Sequence, residues 1–192
     1  MKRKTFDAIL TSVGGMLVVV LVVAGSLLMW GASFANSSVH SQLAQQDIYF
    51  PPAAAFAHAK AGTEITPSMI PSVSKYAGQQ LLTGNQAKVY ADDFIAVHLS
   101  EMPYHGVYAT ISNEARSAAP GTPQAAKLSA LETTSFQGTT LRGLLLEAYA
   151  FGVFGEIALY AGIAAFALAG IMLILVLMGI VHLKRVSMEA EI

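Results

Sequence analysis

The 192-residue chain is 54% hydrophobic and only 12% charged, with a formal net charge of -1. A soluble domain carries about 25% charged residues, so this composition argues against a water-soluble globule and for a chain that meets lipid. With no cysteine and no excess of positive charge, disulfides, thiolate metal sites and cysteine nucleophiles are excluded, and no nucleic-acid partner is expected.

Taken in order, residues 1–7 carry Lys2, Arg3 and Lys4 and read as a short cytoplasmic tail. Residues 8–30 (AILTSVGGMLVVVLVVAGSLLMW) then run without a charge. A hydrocarbon core about 30 Å thick needs about 20 helical residues, so a first transmembrane helix is expected over 8–35. A basic start followed by an apolar run also describes a secretory signal, with Ser33, Phe34 and Ala35 as its cleavage site. The apolar run exceeds the roughly 7–15 residues of a signal core, which favours a helix that is kept.

Residues 36–138 are expected to form a small helical domain outside the cytoplasm. Nothing breaks the first helix before Tyr49, Phe50, Pro51 and Pro52, where proline takes the residue ahead of it out of helical geometry. Residues 53–60 predict a short helix stopped by Gly62. Thr66 before Pro67 fits an N-cap followed by proline in the first turn, with Ile65 and Ile70 as its hydrophobic staple. Residues 73–82 then read as helix up to Gly84, a C-cap. Asn85 is read as the cap of the strongest outer helix, 86–102. Along it Ala87, Tyr90, Ala91, Phe94 and His98 share one stripe, and Lys88 pairs with Asp92 one turn on. Pro103 and Gly106 end it. A weaker helix is expected over 107–118 and a last one over 123–136, bending at Gln137, Gly138 and Thr139 or running straight on.

Residues 139–156 read as the outer extension of a second long helix, because Arg142, Glu147 and Glu156 are costly against lipid. Leu141, Leu144, Leu145, Ala148, Phe151 and Gly155 are candidates for its buried face. Residues 157–183 (IALYAGIAAFALAGIMLILVLMGIVHL) hold no Asp, Glu, Lys or Arg and predict the second transmembrane helix. Lys184 and Arg185 open the 184–192 tail. Short basic flanks stay in the cytoplasm, which puts both termini there and the middle outside a plasma membrane. The fold class expected is all-α: two transmembrane helices with a small helical extracytoplasmic domain packed on their outward extensions.

Small residues recur at helical spacing in both apolar runs, at Gly14, Gly15 and Gly25 and at Ala158, Ala161, Gly162, Ala165 and Ala169. Such residues let helix backbones approach closely, either each other's or those of another membrane subunit. Among polar groups, His98, Glu101 and His105 have metal-ligand chemistry, but Pro103 breaks the spacing, and His98 lies on the apolar stripe as a half-buried histidine would. Adjacent helical residues diverge by about 100°, so Asp92 and Asp93 read as a solvated pair and not as a cation site. Glu156 is read as marking the outer interface and Glu147 as meeting Arg142 or another basic residue. No nucleophile elbow, phosphate loop or metalloprotease motif is present, so no catalytic residue, cofactor or metal is expected.

Three stretches, 76–81 (YAGQQL), 90–99 (YADDFIAVHL) and 140–152 (TLRGLLLEAYAFG), together with the two apolar runs, resemble an uncharacterised family of small actinobacterial two-span membrane proteins. Some members carry the label of aromatic ring-opening dioxygenase, an iron chemistry for which these histidines and carboxylates supply no ligand constellation. The resemblance implies a membrane location and assigns no active residue. The reading is a non-catalytic membrane interaction protein, an accessory or scaffolding subunit partnered by lipids and by other integral subunits or itself, with a respiratory complex as the first assembly to consider. The alternative is an extracytoplasmic ligand- or metal-binding sensor.

Overall fold

The computed structural model describes residues 3–185, and every regular element among them is helical. Lys2 and the part of the expected 184–192 tail beyond Arg185 lie outside the described residues. Helix α1 spans Arg3–Gln46 and α2 Ala53–Phe56. A 3-10 turn at Pro67–Met69 leads into α3, Ile70–Val73, and a second one, Ser74–Tyr76, follows it. Helix α4, Gly84–Val89, passes through a π-helical segment, Tyr90–Ile95, into α5, Ala96–Glu101. After them come α6, Tyr108–Ser117, and α7, Pro123–Arg185. Residues 137–139 bend nothing, because α7 runs through them as one helix of 63 residues.

Two helices, α1 and α7, are long and apolar enough to cross a membrane. In their most apolar windows only 6% and 11% of the residues are buried, whereas the core helix of a soluble protein is mostly buried. The chain divides into two compact units, one made of residues up to Ala35 with those from Phe154 onward, the other of Asn36–Val153.

In the first unit the covered positions of α1 over 8–35 are 11, 14, 18, 21, 25, 28, 32 and 35, with 15, 24 and 31 beside them. Those of α7 over 157–183 are 158, 162, 165, 169, 172, 176, 179 and 183, with 159 beside them. Steps that alternate between three and four residues are the heptad seam of a left-handed helix pair. The pair is antiparallel, since Gly14 meets Val176, Gly25 meets Phe166 and Gly162, and Gly179 meets Thr11. A methyl group built on Gly14 would lie 2.9 Å from Val176 Cγ2, and one on Gly25 3.2 Å from the Phe166 ring, so these glycines set how closely the backbones approach. One on Gly162 would lie 3.1 Å from Met29 Cγ. Ala165 and Ala169 are buried in the same seam, and Ala158 is half-covered. Gly15 has no atom within 4 Å of such a methyl group, and Ala161 is exposed; each is the helical neighbour of a seam residue, Gly14 or Gly162, and is turned about 100° away from it.

The second unit is held by a core of Val39 and Leu43 from α1, Phe50, Ile65, Met69, Val73, Leu81, Ala87, Ala91 and Ile95 from the segments between, and Leu145 from α7. Helix α1 runs on to Gln46, as expected ahead of the prolines, and Asp47 then turns left-handed at φ 53°. Other local expectations are corrected. Residues 77–82 are not helical: Gly78 has φ 70°, and the chain then pairs back on residues 48–50, with Phe50 N donating to Gln79 O and Leu81 N to Ile48 O, both at 2.9 Å. Thr83, not Asn85, caps the next helix, accepting from Gln86 N while Gln86 Oε1 accepts from Thr83 N. That is a capping box, and the T-x-x-Q spelling was already present in the sequence. Of the apolar face expected on α7, Leu145 is 2% exposed, whereas Leu144 and Phe151 point outward.

Between α5 and α6 the chain makes a left-handed turn, with φ of 58°, 53° and 64° at Tyr104, His105 and Gly106. Outside glycine this geometry costs about 1–2 kcal/mol per residue, so the turn needs bracing. Ser135, fully buried on α7, donates to Gly106 O at 2.6 Å, and the Gly106 Cα lies against the Leu99 backbone. Leu99 in turn fills the space a side chain at Gly138 would need.

Two experiments test these packings. The chain is free of cysteine, and a Cβ on Gly179 would stand 3.6 Å from Thr11 Cβ, within the range of a disulfide. Thr11→Cys with Gly179→Cys is therefore expected to oxidise within one chain, seen as a mass loss of two hydrogens, while Ser12→Cys with Gly179→Cys is not. Gly106→Ala puts a Cβ into the Leu99 carbonyl at a left-handed φ, and is expected to lower stability by about 2 kcal/mol in thermal unfolding followed by circular dichroism.

Candidate functional site

The chemistry-bearing side chains of the second unit gather on the continuous helix 84–101. Its capping box starts it beside α7, where a Cβ on Gly84 would come within 3.2 Å of both Ala148 O and Tyr149 Cα. The close approach fixes Lys88 and Asp92, one and two turns along, against the same stretch of α7. The π segment then adds a residue to the local turn, and π insertions often mark functional positions. Its effect here is to make every fourth residue superpose. Ala87, Ala91 and Ile95 are buried in one row, and Tyr90, Phe94 and His98 stack in another, with ring centroids 4.7 Å and 4.6 Å apart. Phe50, 2% exposed, joins this row to Tyr76 at 5.2 Å and to Tyr90 at 5.3 Å. Burial, and behind it the charge of Glu64, pushes the Tyr90 hydroxyl above its ordinary range.

Asp92 is the charged centre. Lys88 Nζ lies 2.6 Å from its Oδ2 and Arg142 Nη2 2.8 Å from its Oδ1, so one carboxylate ties helix 84–101 to itself and to α7. The hydrogen bond from Lys88, assisted by the one from Arg142, holds the Asp92 carboxyl below its usual value against the opposite push of partial burial. The same bond raises the Lys88 ammonium. Lys88 also sits 5.4 Å from the Tyr149 ring centroid, a cation over an aromatic face on α7. The expectation that Glu147 meets Arg142 is thereby corrected. Arg142 turns to Asp92, fifty positions away in sequence, and Glu147 is exposed, with no ion pair among the described residues. Glu156 is likewise exposed, in the other unit.

His98 has both ring nitrogens on carbonyl oxygens, Nδ1 at 2.9 Å from Phe94 O and Nε2 at 2.9 Å from Glu64 O. It therefore ties the loop before α3 to helix 84–101. His105 faces Ser100 O from the left-handed turn at 3.4 Å. Neither nitrogen of His98 is free for a metal, and among the described residues no three His, Asp or Glu side chains converge on one point. In the first unit Asp7 Oδ2 lies 3.6 Å from His182 Nε2 and 3.9 Å from Arg3 Nε. This pairing across the helix seam escapes a sequence reading, since 175 positions separate the two partners. The Asp92 to Arg142 bridge escapes it for the same reason, whereas the run of aromatic residues four apart was visible.

Comparison with family models, with curated proteins and with solved structures returns no match. What the geometry supports is holding. Asp92 and His98 reach from helix 84–101 to neighbouring segments through Arg142 and the Glu64 carbonyl, and an acid with two cationic partners is poorly placed to move a proton.

The pH response follows from the direction of the Asp92 shift. A carboxyl held lower in the folded chain than in the unfolded one contributes stability that is present above the ordinary carboxylate range and is lost as pH falls through the folded value. Asp92→Asn is expected to cost about 1 kcal/mol near neutral pH, because both pairs are partly solvent-exposed, and to flatten the acid limb of a denaturation profile read by far-ultraviolet dichroism.

Proposed function

We propose that the chain is a non-catalytic integral membrane interaction protein, an accessory or scaffolding subunit of a larger plasma-membrane complex, with a respiratory assembly the first to test. The single observation behind this reading is the imbalance on α1 and α7. Their mutual seam is one narrow stripe in which glycines and alanines are interleaved with Val18, Leu21, Leu28, Met172 and Val176, while large side chains such as Leu10, Met16, Val19, Leu168, Leu173 and Met178 are exposed all around it. So much uncovered apolar surface is a liability in water and ordinary in lipid or against other apolar helices. On the basic flanks, Lys2, Arg3 and Lys4 with Lys184 and Arg185, both termini are assigned to the cytoplasm and residues 36–138 to the other side. The resemblance to two-span actinobacterial membrane proteins agrees with that assignment and adds no activity.

The second unit offers support of a different kind. Asp92, His98 and Ser135 are engaged in cross-links between its own elements, as in a body built to present a surface. A ligand-sensing role would need a site that they leave open.

The deciding experiment is gentle detergent extraction of the native membranes, followed by mass spectrometry of the species that migrate with the chain. Stoichiometric co-migration with other integral subunits is expected, and it should be lost when Gly15 and Gly170, which line open faces of the two helices, are both changed to Leu. Recovery of this chain alone, as monomer or self-oligomer, would sink the accessory-subunit reading.

A further inference from the structure

All four Lys and Arg residues of the first unit that fall within the described residues lie at one end of its helix pair. Arg3 and Lys4 begin α1, and Lys184 and Arg185 finish α7. The antiparallel seam brings them together: Thr11 meets Gly179 and Asp7 meets His182 one to two turns further in. Asp7 is the carboxylate of that end among the described residues, and its side chain is 20% exposed, already close to His182 and Arg3. Arg3, Lys184 and Arg185 remain exposed. Immediately beside these cations the surface turns apolar, with Phe6, Ile9 and Leu10 on α1 and Met178 and Val181 on α7 all outward. At the far end of the unit stands Glu156, with no Lys or Arg between residues 154 and 183 or between 5 and 35.

We propose that these paired helix ends form a collar that selects anionic phospholipid: a phosphate-bearing headgroup against Arg3, Lys4, Lys184 and Arg185, with its acyl chains along the apolar side chains one turn further in. The proposal rests on the membrane-spanning reading above and adds the class of lipid. The abrupt change from cation to hydrocarbon is what distinguishes this occupant. An acidic peptide or a nucleic acid would satisfy the charges and leave Phe6, Leu10 and Met178 uncovered, whereas a phospholipid carries both chemistries in the same order. Lys2 adds a cation and Glu189 and Glu191 add carboxylates in sequence beyond the described residues, so the collar depends on local contact and not on net charge.

The test reconstitutes the full chain in vesicles of phosphatidylcholine doped with spin-labelled phosphatidylglycerol or spin-labelled phosphatidylcholine of identical acyl chains. The immobilised fraction of each is read by electron paramagnetic resonance. The wild-type chain is expected to prefer phosphatidylglycerol at least about fivefold, the factor that one Lys or Arg supplies near an anionic surface, and to lose much of that preference in high salt. Arg3→Gln, Lys4→Gln, Lys184→Gln and Arg185→Gln together should abolish it, while Arg3→Lys, Lys4→Arg, Lys184→Arg and Arg185→Lys together should retain it. Equal immobilisation of the two lipids, an unchanged preference in the Gln variant, or displacement by millimolar inorganic phosphate would each overturn the collar. Flotation with the vesicles is scored separately. A chain that does not float loses the membrane reading and the collar with it; one that floats without preferring phosphatidylglycerol loses the collar alone.

Discussion

Close backbone contact between two helices with almost nothing else to cover them is the constraint on which the first unit depends. A helix satisfies its own backbone hydrogen bonds, so a long apolar one can stand without neighbours in a medium that offers no hydrogen bonds of its own. What it cannot do there is gain a partner through the hydrophobic effect; it must gain one through van der Waals contact. Gly14, Gly25, Gly162 and Gly179 provide that contact by removing the side chains that would hold the backbones apart. The narrow seam and the wide uncovered surface are two consequences of the same choice of small residues.

The second unit is held on different terms. Its core is conventional in chemistry, with Phe50, Met69, Leu81 and Ile111 fully or almost fully buried, but two of its helices, α2 and α3, are only four residues long. Helices that short have little stability of their own, so tertiary contacts have to supply it. Polar side chains acting between elements do part of this: Gln86 gathers Leu82 N and Thr83 N, His98 reaches Glu64 O, and Asp92 joins Lys88 to Arg142. The left-handed turn at Tyr104 and His105 shows the same dependence, since a locally unfavourable backbone persists there under Ser135 and Leu99.

The π segment links sequence to this architecture. Six residues, Tyr90–Ile95, take a wider turn, and the aromatic side chains at 90, 94 and 98 fall into one column where an ordinary helix would let them drift. Asp92, in the middle of the segment, comes to face α7. A local irregularity therefore sets both the packing row and the ion bridge.

The all-helical class and the two long apolar helices were legible in the sequence, because composition and hydrophobic run length act over consecutive residues. The sequence also carried the Lys88 to Asp92 pair, one helical turn apart, and the small residues from which the seam is built. Which of those residues enter the seam was decided only by the tertiary structure: Gly14 and Gly162 are in it, Gly15 and Ala161 are not, because the register of one helix on another fixes the face. The partner of Arg142 and the loss of helix after Tyr76 were decided there as well. Each turns on a competition between a local preference and a contact with a residue distant in the chain, and a linear reading contains only the first of the two.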